Sequence, residues 1–386
     1  MKIRRCSVLY IESREALAID LASLFAGTGT LAASAQWIAL VPHLDREVEI
    51  DTAELMVLGG VSQTVWSERA ACEERLDAPC IARLLEQGLL IGDDAEHAAV
   101  RERDEVLRAT HWRPMAALVH TFSRWTGVRT ETGMEAPSFQ ELLDTYGEPP
   151  PPTLELGVPA EAVKLPAPAS GLLDETMRKR YTGRNFDLQA SLPLAVAARL
   201  LQRTFGAQQV RQIGVDSTIL KKTSPSGGGL HPVEAFVLAQ RIEGVTPGLY
   251  HYHPIAHELR PLRAMDAQQA AATALQMVAD QHWLADAPMQ VVLVGRAERT
   301  FWKYRNHHKA YRALALDAGH LSQTFYLLAA EAGMPAFITA AINDVEIEQM
   351  LGLDHLRHAV IAVCGCGPSS GARDMAELRY GETGTI

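Results

Sequence analysis

The sequence predicts an α+β fold of two domains, and three observations lead to that prediction. The chain has 386 residues, 47% hydrophobic and 21% charged, which is enough to bury more than one core. A proline-rich stretch, Gly147–Thr153 followed by Pro159, Pro166 and Pro168, has the fixed φ angles and missing N–H donors of an extended linker. After residue 165, helical and strand-like segments alternate without an internal repeat.

The N-terminal part, residues 1–110, is predicted to be an α/β, winged-helix-like domain. Its clearest element is Ile81–Ile91, an amphipathic helix that ends at Gly88 and turns into a strand. Winged helices usually bind nucleic acid, but residues 1–170 carry 15 Lys and Arg against 26 Asp and Glu, which repels it. The pattern favours binding of a peptide or protein, with a purely structural role as the alternative.

Residues 111–165 are predicted to be a helical connector and the proline-rich linker. The aromatic spacing of His111–Trp125 fits either core packing or a cap over a neighbouring site. From residue 166 to 386 we expect the second domain, which contains both helices and strands. The helices are Leu192–Phe205 and Arg312–Gly333, and the strands are Ala235–Ala239, Met289–Val294 and His358–Val363. No strand precedes a G-x-G-x-x-G motif, which weighs against a dinucleotide site.

Cysteine usage and hydropathy exclude several classes of protein. Five cysteines are an odd and sparse number, which argues against a disulfide framework and for a reducing compartment. Cys364 and Cys366 have no second Cys or His pair near them, so no metal site is expected. No stretch approaches the roughly 20 apolar residues that span a bilayer, and no secretory signal is recognisable. We therefore expect a cytoplasmic protein without membrane or nucleic-acid partners.

Two segments suit an anionic, planar ligand. In Arg180-Tyr-Thr-Gly-Arg184, alternating positions of an extended segment place two guanidiniums and a hydroxyl on one side, where they can bind phosphate. In Ser224–Pro232, three consecutive glycines expose backbone N–H groups and admit a flat ring. The alternatives are scattered surface arginines for the first segment and a flexible turn for the second.

The second segment carries a family resemblance. Ser224-Pro-Ser-Gly-Gly-Gly-Leu-His-Pro-Val-Glu234, followed by Val245-Thr-Pro-Gly-Leu-Tyr-His-Tyr252, resembles the signature of the azoline dehydrogenases, the FMN enzymes that mature thiazole- and oxazole-containing peptides. The resemblance covers about residues 170–370. It implies a nitroreductase-like fold for residues 166–386, with a mixed, mainly antiparallel sheet flanked by helices.

The resemblance also implies which residues bind FMN. Arg180, Thr182 and Arg184 stand where the family has its R-x-S-x-R phosphate segment, with Thr in place of Ser. The full set of implied cofactor-binding residues is Arg180, Thr182, Arg184, Pro225, Ser226, Gly227, Gly228, Gln323 and Arg379.

Lys303 and Tyr304 resemble the Lys-Tyr pair that this family uses in catalysis. Oxidation of an azoline ring removes one hydride and one proton, so a base is needed beside the flavin. Tyrosine needs a cationic neighbour or preorganised donors to act as a base near neutral pH, and Lys303 can supply the charge. Without the resemblance, the two side chains would only cap and pack a helix.

The remaining implications concern assembly and substrate. Tyr311–Gln323 resembles the dimerisation helix of such folds, which implies a homodimer with the flavin at the interface, and His320 on it is expected to be buried. The expected partners are a ribosomally synthesised precursor peptide and a cyclodehydratase, and molecular oxygen is the expected electron acceptor. Two alternatives stay open: an NAD(P)H-dependent nitro- or quinone reductase, and a non-catalytic scaffold that binds a leader peptide.

Overall fold

The computed structural model describes residues 1–19, 25, 27, 31–129, 139–153, 163–213 and 218–382, with the backbone alone at 16–19 and 31–34. Its contacts divide the chain into two compact units. The first unit consists of Met1–Arg124, Gly295–Ala315 and Gly352–Ala359, and the second of Trp125–Val294, Leu316–Leu351 and Val360–Ile386. The first unit therefore includes two segments from the second half of the sequence.

Two antiparallel sheets of three strands each lie in the first unit. The strands are β1 (Lys2–Arg5), β2 (Tyr10–Ile19), β3 (Leu31–Val41), β4 (Arg46–Ile50), β5 (Ser67–Glu68) and β6 (Leu90–Gly92). One sheet has the order β5-β1-β6 and the other β2-β3-β4. The helices of the same N-terminal region are α1 (Thr52–Gly60), α2 (Arg69–Glu73), α3 (Ala78–Gln87), α4 (Ala98–Ala109) and α5 (Pro114–Phe122). This is the separate N-terminal α/β region that the sequence predicts.

The ends of helix α3 are determined by neighbouring residues, which is why the sequence predicts this helix. Its N-cap residue Asp77 accepts a hydrogen bond of 2.8 Å from the Cys80 backbone, and its buried residues Cys80, Ile81, Leu84 and Leu85 form one face. The helix ends because Gly88 takes the left-handed conformation, with φ 81°, and β6 follows. The predicted helix, glycine and strand are confirmed, while the winged-helix likeness stays a prediction.

A six-stranded sheet forms the centre of the second unit. Its strands are β9 (Val233–Ala239), β10 (Gly248–His253), β11 (Glu258–Ala264), β12 (Met289–Arg296), β13 (Ala336–Thr339) and β14 (His358–Cys366), in the order β11-β10-β9-β12-β14-β13. The pairs β9–β10, β10–β11 and β13–β14 are antiparallel. A separate antiparallel pair consists of β7 (Gln209–Gln212) and β8 (Thr218–Lys221).

Helices complete the second unit. They are α6 (Phe139–Tyr146), α7 (Leu172–Lys179), α8 (Leu194–Phe205), α9 (Ala267–Met277), α10 (His282–Ala285), α12 (Ala310–Glu331) and α13 (Asp344–Leu351); α11 (Ala297–Tyr304) and the first residues of α12 belong to the first unit. One hydrophobic core joins sheet and helices, with Phe205 of α8, Val291 of β12 and Phe325 of α12 almost fully buried. The mixed α+β fold predicted for this half is confirmed, with helix and strand bounds within three residues of those expected.

The predicted linker has neither helix nor strand where the structure describes it. Residues 147–153 and 163–171 are exposed and irregular, while Pro159 lies outside the described residues. The compact units divide the chain at Arg124, and the domain boundaries expected at residues 110 and 165 stay a prediction.

Candidate functional site

The arginine segment runs along the edge strand of the sheet in the second unit. It leaves α7 at Arg180 with extended backbone angles (φ −69°, ψ 125°). Thr182 forms a parallel bridge with Ala336 of β13, and the Gly183 N–H donates to the Ala336 carbonyl at 2.8 Å. An added Cβ on Gly183 would lie 2.4 Å from Pro335 Cβ, so glycine is required for this close approach. The tertiary packing thus holds the segment in the extended form that its alternating pattern predicts.

Tyr326 of α12 contacts two of the predicted phosphate-binding side chains. The Arg180 guanidinium lies 5.4 Å from the centre of the Tyr326 ring, and the Thr182 and Tyr326 hydroxyls are 3.1 Å apart. The Tyr326 hydroxyl also accepts a hydrogen bond of 3.2 Å from the Ile338 N–H. Burial raises the pKa of Tyr326, so this hydroxyl is a neutral donor and acceptor that orients the segment.

The C-terminal segment brings a third arginine to the same place. Glu377 accepts hydrogen bonds from the Arg184 N–H (2.6 Å) and the Asn185 N–H (3.0 Å), and its other oxygen accepts one from Arg379 (2.6 Å). The Arg379 guanidinium lies 4.3 Å from the centre of the Tyr181 ring. Burial alone would raise the pKa of Glu377, but these hydrogen bonds outweigh it and lower that pKa below its ordinary value. Glu377 therefore joins Arg379 to the backbone of Arg184 and partly neutralises Arg379, while the Arg184 guanidinium donates to the Ala376 carbonyl at 3.0 Å.

The glycine loop forms a single 3-10 turn over Gly227–Gly229. Gly228 (φ 63°) and Gly229 (φ 70°) lie in the left-handed region, which is favourable for glycine. No atom lies within 4 Å of a Cβ built on Gly229, so the loop surface is open to a flat ligand there. The role of the glycines in cofactor binding stays a prediction.

Asp317 of α12, which is 3% exposed, fixes this loop. Its carboxylate accepts hydrogen bonds from the Ser226 hydroxyl (2.5 Å) and the Gly227 N–H (2.9 Å), and the Ser226 oxygen in turn accepts one from the His231 N–H (2.9 Å). The Gly229 N–H donates to the Ser226 carbonyl at 3.0 Å. The N–H groups of Gly227 and Gly229 therefore stabilise the loop and do not point to a ligand, unlike the sequence-based expectation.

Asp317 was not predicted as a site residue. The signal available was a lone carboxylate in an otherwise apolar stretch of helix, which indicates a buried partner without naming it.

The arginine segment and the glycine loop contact opposite faces of α12. Asp317 and Thr324, whose hydroxyl is 2.7 Å from that of Ser224, are seven residues apart and share a face. Tyr326 follows Asp317 by nine residues, which at 3.6 residues per turn is about 180° around the helix. Two of the three predicted constellations therefore lie on either side of one helix.

Two side chains on α12 differ from their predictions. The Gln323 side chain is exposed and makes no hydrogen bond with the described residues, so the structure does not bring it to either segment, and its role in cofactor binding stays a prediction. His320 was expected to be buried, and this is wrong: its side chain is exposed, and its carbonyl accepts a hydrogen bond from Thr324. The helical spacing placed His320 on the outer face, because Leu321 and Ser322 take the inner one.

Lys303 and Tyr304 form a contact pair at the end of α11, in the first unit. The Lys303 ammonium lies 5.7 Å from the centre of the Tyr304 ring, within the range of a cation–π contact. Lys303 is exposed and Tyr304 half-buried. Earlier in the same helix, the buried Phe301 meets the Trp112 ring edge-on at 4.8 Å, which holds α11 in place. The two side chains are thus in contact, and their catalytic role stays a prediction.

The described residues were also compared with the requirements of a metal centre and of a membrane span. Within the described ranges, no three His, Cys, Asp or Glu side chains are grouped so as to hold a metal ion. None of the helices in that part of the chain combines the length and apolarity needed to cross a membrane.

Known proteins resemble the C-terminal half. Residues 177–367 match the Nitroreductase family. A protein of Methanocaldococcus jannaschii named as a nitroreductase is 27% identical over 189 residues, which are 49% of this chain and 88% of that relative. The microcin B17-processing protein McbC of Escherichia coli is 25% identical over 186 residues, which are 47% of this chain and 64% of McbC. The chain thus spans less than two thirds of McbC.

A solved structure extends the likeness beyond that region. A chain of the E. coli microcin synthetase McbBCD complex with truncated pro-MccB17 bound matches with a TM-score of 0.51 and 21% identity. The match covers 69% of this chain and 97% of that chain. At this identity the comparison establishes a shared fold.

Proposed function

Because residues 177–367 of this chain match the Nitroreductase family, we propose that it is an FMN-dependent dehydrogenase of ribosomal peptide maturation. Its substrate is a peptide that carries thiazoline or oxazoline rings, and its product carries thiazole or oxazole. The proposal rests on the resemblance of the glycine loop to azoline dehydrogenases and on the similarity to a microcin B17-processing protein. The single observation that carries it is the contact of Lys303 with Tyr304.

The residues present fit FMN. Arg180, Arg184 and Arg379 are a donor set suited to the phosphate, since guanidiniums bind phosphate oxygens with charge-assisted, bidentate bonds. The loop Pro225–Gly228 and the open space over Gly229 suit the flat ring system. When bound, FMN would supply the acceptor for the hydride taken from the azoline ring, with molecular oxygen as the expected final acceptor.

Tyr304 is the proposed base and Lys303 its electrostatic partner. In the proposed step, Tyr304 acts as the phenolate: it accepts the ring proton and becomes the phenol, while the hydride leaves from the adjacent ring carbon. The Lys303 ammonium lies 5.7 Å from the centre of the Tyr304 ring. The buried contact of Phe301 with Trp112 holds the end of α11 in one orientation.

A homodimer is the proposed assembly, and the two faces of α12 support it. A ligand that uses both the arginine segment and the glycine loop would take them from two copies of the chain, because the two contact opposite sides of the helix. An outer face of α12 offers a surface for that second copy: Leu316 is 64% exposed, and Gly319, His320 and Gln323 continue the face. Gly319 has no atom within 4 Å of a built Cβ, which permits close approach of another helix.

The proposed partners are the precursor peptide and a cyclodehydratase that forms the azoline rings. The acidic N-terminal unit is the proposed peptide-binding part, and the reaction is placed in the cytoplasm. These proposals rest on the family resemblance and on the low cysteine content.

Two measurements on the full chain test the proposal. Purified protein should be yellow or become so with FMN; a colourless protein that cannot be reconstituted would overturn the cofactor. A synthetic peptide with one thiazoline ring should then lose two daltons, measured by mass spectrometry.

The Lys303→Gln/Tyr304→Phe double variant should keep its flavin but lose turnover by about 10²–10⁴-fold, the usual contribution of a general base. Lys309→Gln is the matched control, since Lys309 is an exposed lysine outside α11. An unchanged two-dalton loss in the double variant would contradict the catalytic assignment. Retained peptide binding without turnover in the wild type would favour the scaffold instead.

A nitro- or quinone reductase is the second candidate, favoured by the 27% identity to the M. jannaschii protein over 88% of its length. Rapid bleaching of the flavin by NADPH, with no oxidation of the thiazoline peptide, would support it. Bleaching by the peptide alone would exclude it.

A further inference from the structure

A cavity lies in the first unit, and all of its lining residues belong to that unit. It has a volume of about 280 Å³, close to the lower limit of about 300 Å³ for small-ligand pockets. Four parts of the chain line it: the turn after β1, the end of α4, the turn before α5, and Arg305 with Asn306 after α11. Its lining includes three arginines and a histidine, and no acidic residue.

The cationic groups of this pocket are unequally neutralised. Arg108 forms an ion pair with buried Asp104 at 2.7 Å. Arg305 donates to the Trp302 carbonyl from two nitrogens, at 3.1 and 3.0 Å, which leaves its charge without a carboxylate among the described residues. Arg113 lies 3.0 Å from a ring nitrogen of His308, and its buried Nε has no hydrogen-bond partner in the described structure.

The backbone adds to this positive potential. Arg113 is the N-cap of α5, a helix of nine residues, and no side chain caps that end. A helix N-terminus carries partial positive charge and uncompensated N–H groups. The pocket is thus strongly cationic. By contrast, residues 1–170 as a whole carry a net charge of −11, from 15 basic and 26 acidic residues. An anionic ligand accounts for this contrast.

Apolar side chains decide which anion fits best. Val8, Leu107 and Trp112 line the pocket and are 3%, 1% and 6% exposed, so they form a fixed hydrophobic wall. Inorganic phosphate has no apolar group to pack against this wall, whereas a glutamate side chain has methylene groups that can do so. We infer that this pocket binds the carboxylate side chain of an acidic residue in the peptide substrate.

The pocket lies next to the proposed catalytic pair in the chain. Arg305 directly follows Lys303 and Tyr304, and both Arg305 and Asn306 line the pocket. The acidic residue would therefore lie within a few residues of the ring to be oxidised. The inference rests on the proposed function in naming a peptide substrate, but binding at this pocket needs neither flavin nor turnover.

The test compares two short peptides on the full-length protein. Acetyl-Gly-Glu-Gly-amide and acetyl-Gly-Gln-Gly-amide are titrated by NMR, and the wild type should bind the glutamyl peptide about tenfold more tightly, the order expected for a charge-assisted bond. Arg113→Gln/Arg305→Gln should abolish the preference. Arg46→Gln is the matched control, because Arg46 is exposed in the same unit and outside the pocket, and it should keep the preference.

Three outcomes would overturn the inference. They are equal affinity of the wild type for both peptides, a preference that survives in the double variant, and tighter binding of inorganic phosphate that displaces the glutamyl peptide. If the double variant does not fold, Arg305→Gln alone replaces it, since Arg305 is exposed. Thiazoline oxidation by the Lys303 and Tyr304 variants is scored separately, so failure of the catalytic proposal and failure of this pocket are distinguishable.

Discussion

Asp317→Asn is the most informative single substitution, because it is isosteric and acts on the anchor of the glycine loop. Asp317 accepts two hydrogen bonds, from the Ser226 hydroxyl and the Gly227 N–H. Asparagine keeps one acceptor oxygen and adds an NH₂ group that faces one of those donors. The hydroxyl of Ser226 can rotate, but the Gly227 N–H is fixed in the turn.

The expected cost follows from these two bonds. A hydrogen bond to a charged group contributes about 1.5–3 kcal/mol, so loss of one should lower the free energy of unfolding by about 2 kcal/mol. For a unit of this size, about 2–4 °C of Tm corresponds to each kcal/mol, so Tm should fall by about 4–8 °C. Asp317→Ala removes both acceptors and leaves a buried N–H unsatisfied, which should cost about 3–5 kcal/mol.

Thermal unfolding followed by circular dichroism measures the stability, and absorbance of the purified protein measures the bound flavin. Both should decrease in Asp317→Asn. Asp374→Asn is the control with the same change of charge, since Asp374 is exposed and has no hydrogen-bond partner among the described residues. The role assigned to Asp317 is refuted if the two variants have the same Tm and flavin content as the wild type.

Three further predictions concern pH, packing and thiol chemistry. Burial lowers the pKa of His120 to about 3, so as the pH falls below 6.5 the unfolded chain takes up a proton on this histidine before the folded protein does. The free energy of unfolding should therefore decline by about 1.4 kcal/mol per pH unit between pH 6.5 and 3. Urea unfolding of His120→Gln should show a flatter dependence of this free energy on pH. Gly183→Ala should cost about 1–3 kcal/mol in denaturant unfolding and lower flavin content, since its Cβ would overlap Pro335; an unchanged midpoint would contradict the packing. All five cysteines are free and buried, so a thiol reagent should label the native protein slowly and the urea-unfolded protein fully, whereas five rapid native equivalents would contradict this burial.

Much of the candidate site could be anticipated from local sequence. The arginine segment and the glycine loop are short and contiguous, and their residue types restrict φ or supply charge without regard to distant contacts. The order of the segments carried the family resemblance, and the fold it implied is confirmed. The assignment of individual cofactor-binding and catalytic residues stays a prediction.

Other features could not be anticipated, because their partners are remote in sequence. Glu377 contacts Arg184 across 193 positions, and Asp317 contacts Gly227 across 90. Separations this long in the sequence leave no trace in the helix or strand periodicity, so the pattern does not predict these contacts. The exposure of His320 likewise depends on which face of α12 packs against the core, and several rotations of an apolar helix satisfy the sequence about equally well.

By itself, the sequence determined the α+β class, the helix-glycine-strand unit at Gly88, the basic and glycine-rich segments and the adjacency of Lys303 to Tyr304. Each of these depends on neighbouring residues, so periodicity and backbone restriction are sufficient. Only the tertiary structure decided that α12 separates the arginine segment from the glycine loop, that α11 packs with the N-terminal unit, and that a cationic pocket forms there. Those outcomes depend on the path of the chain, which is set by the burial of side chains contributed by distant segments.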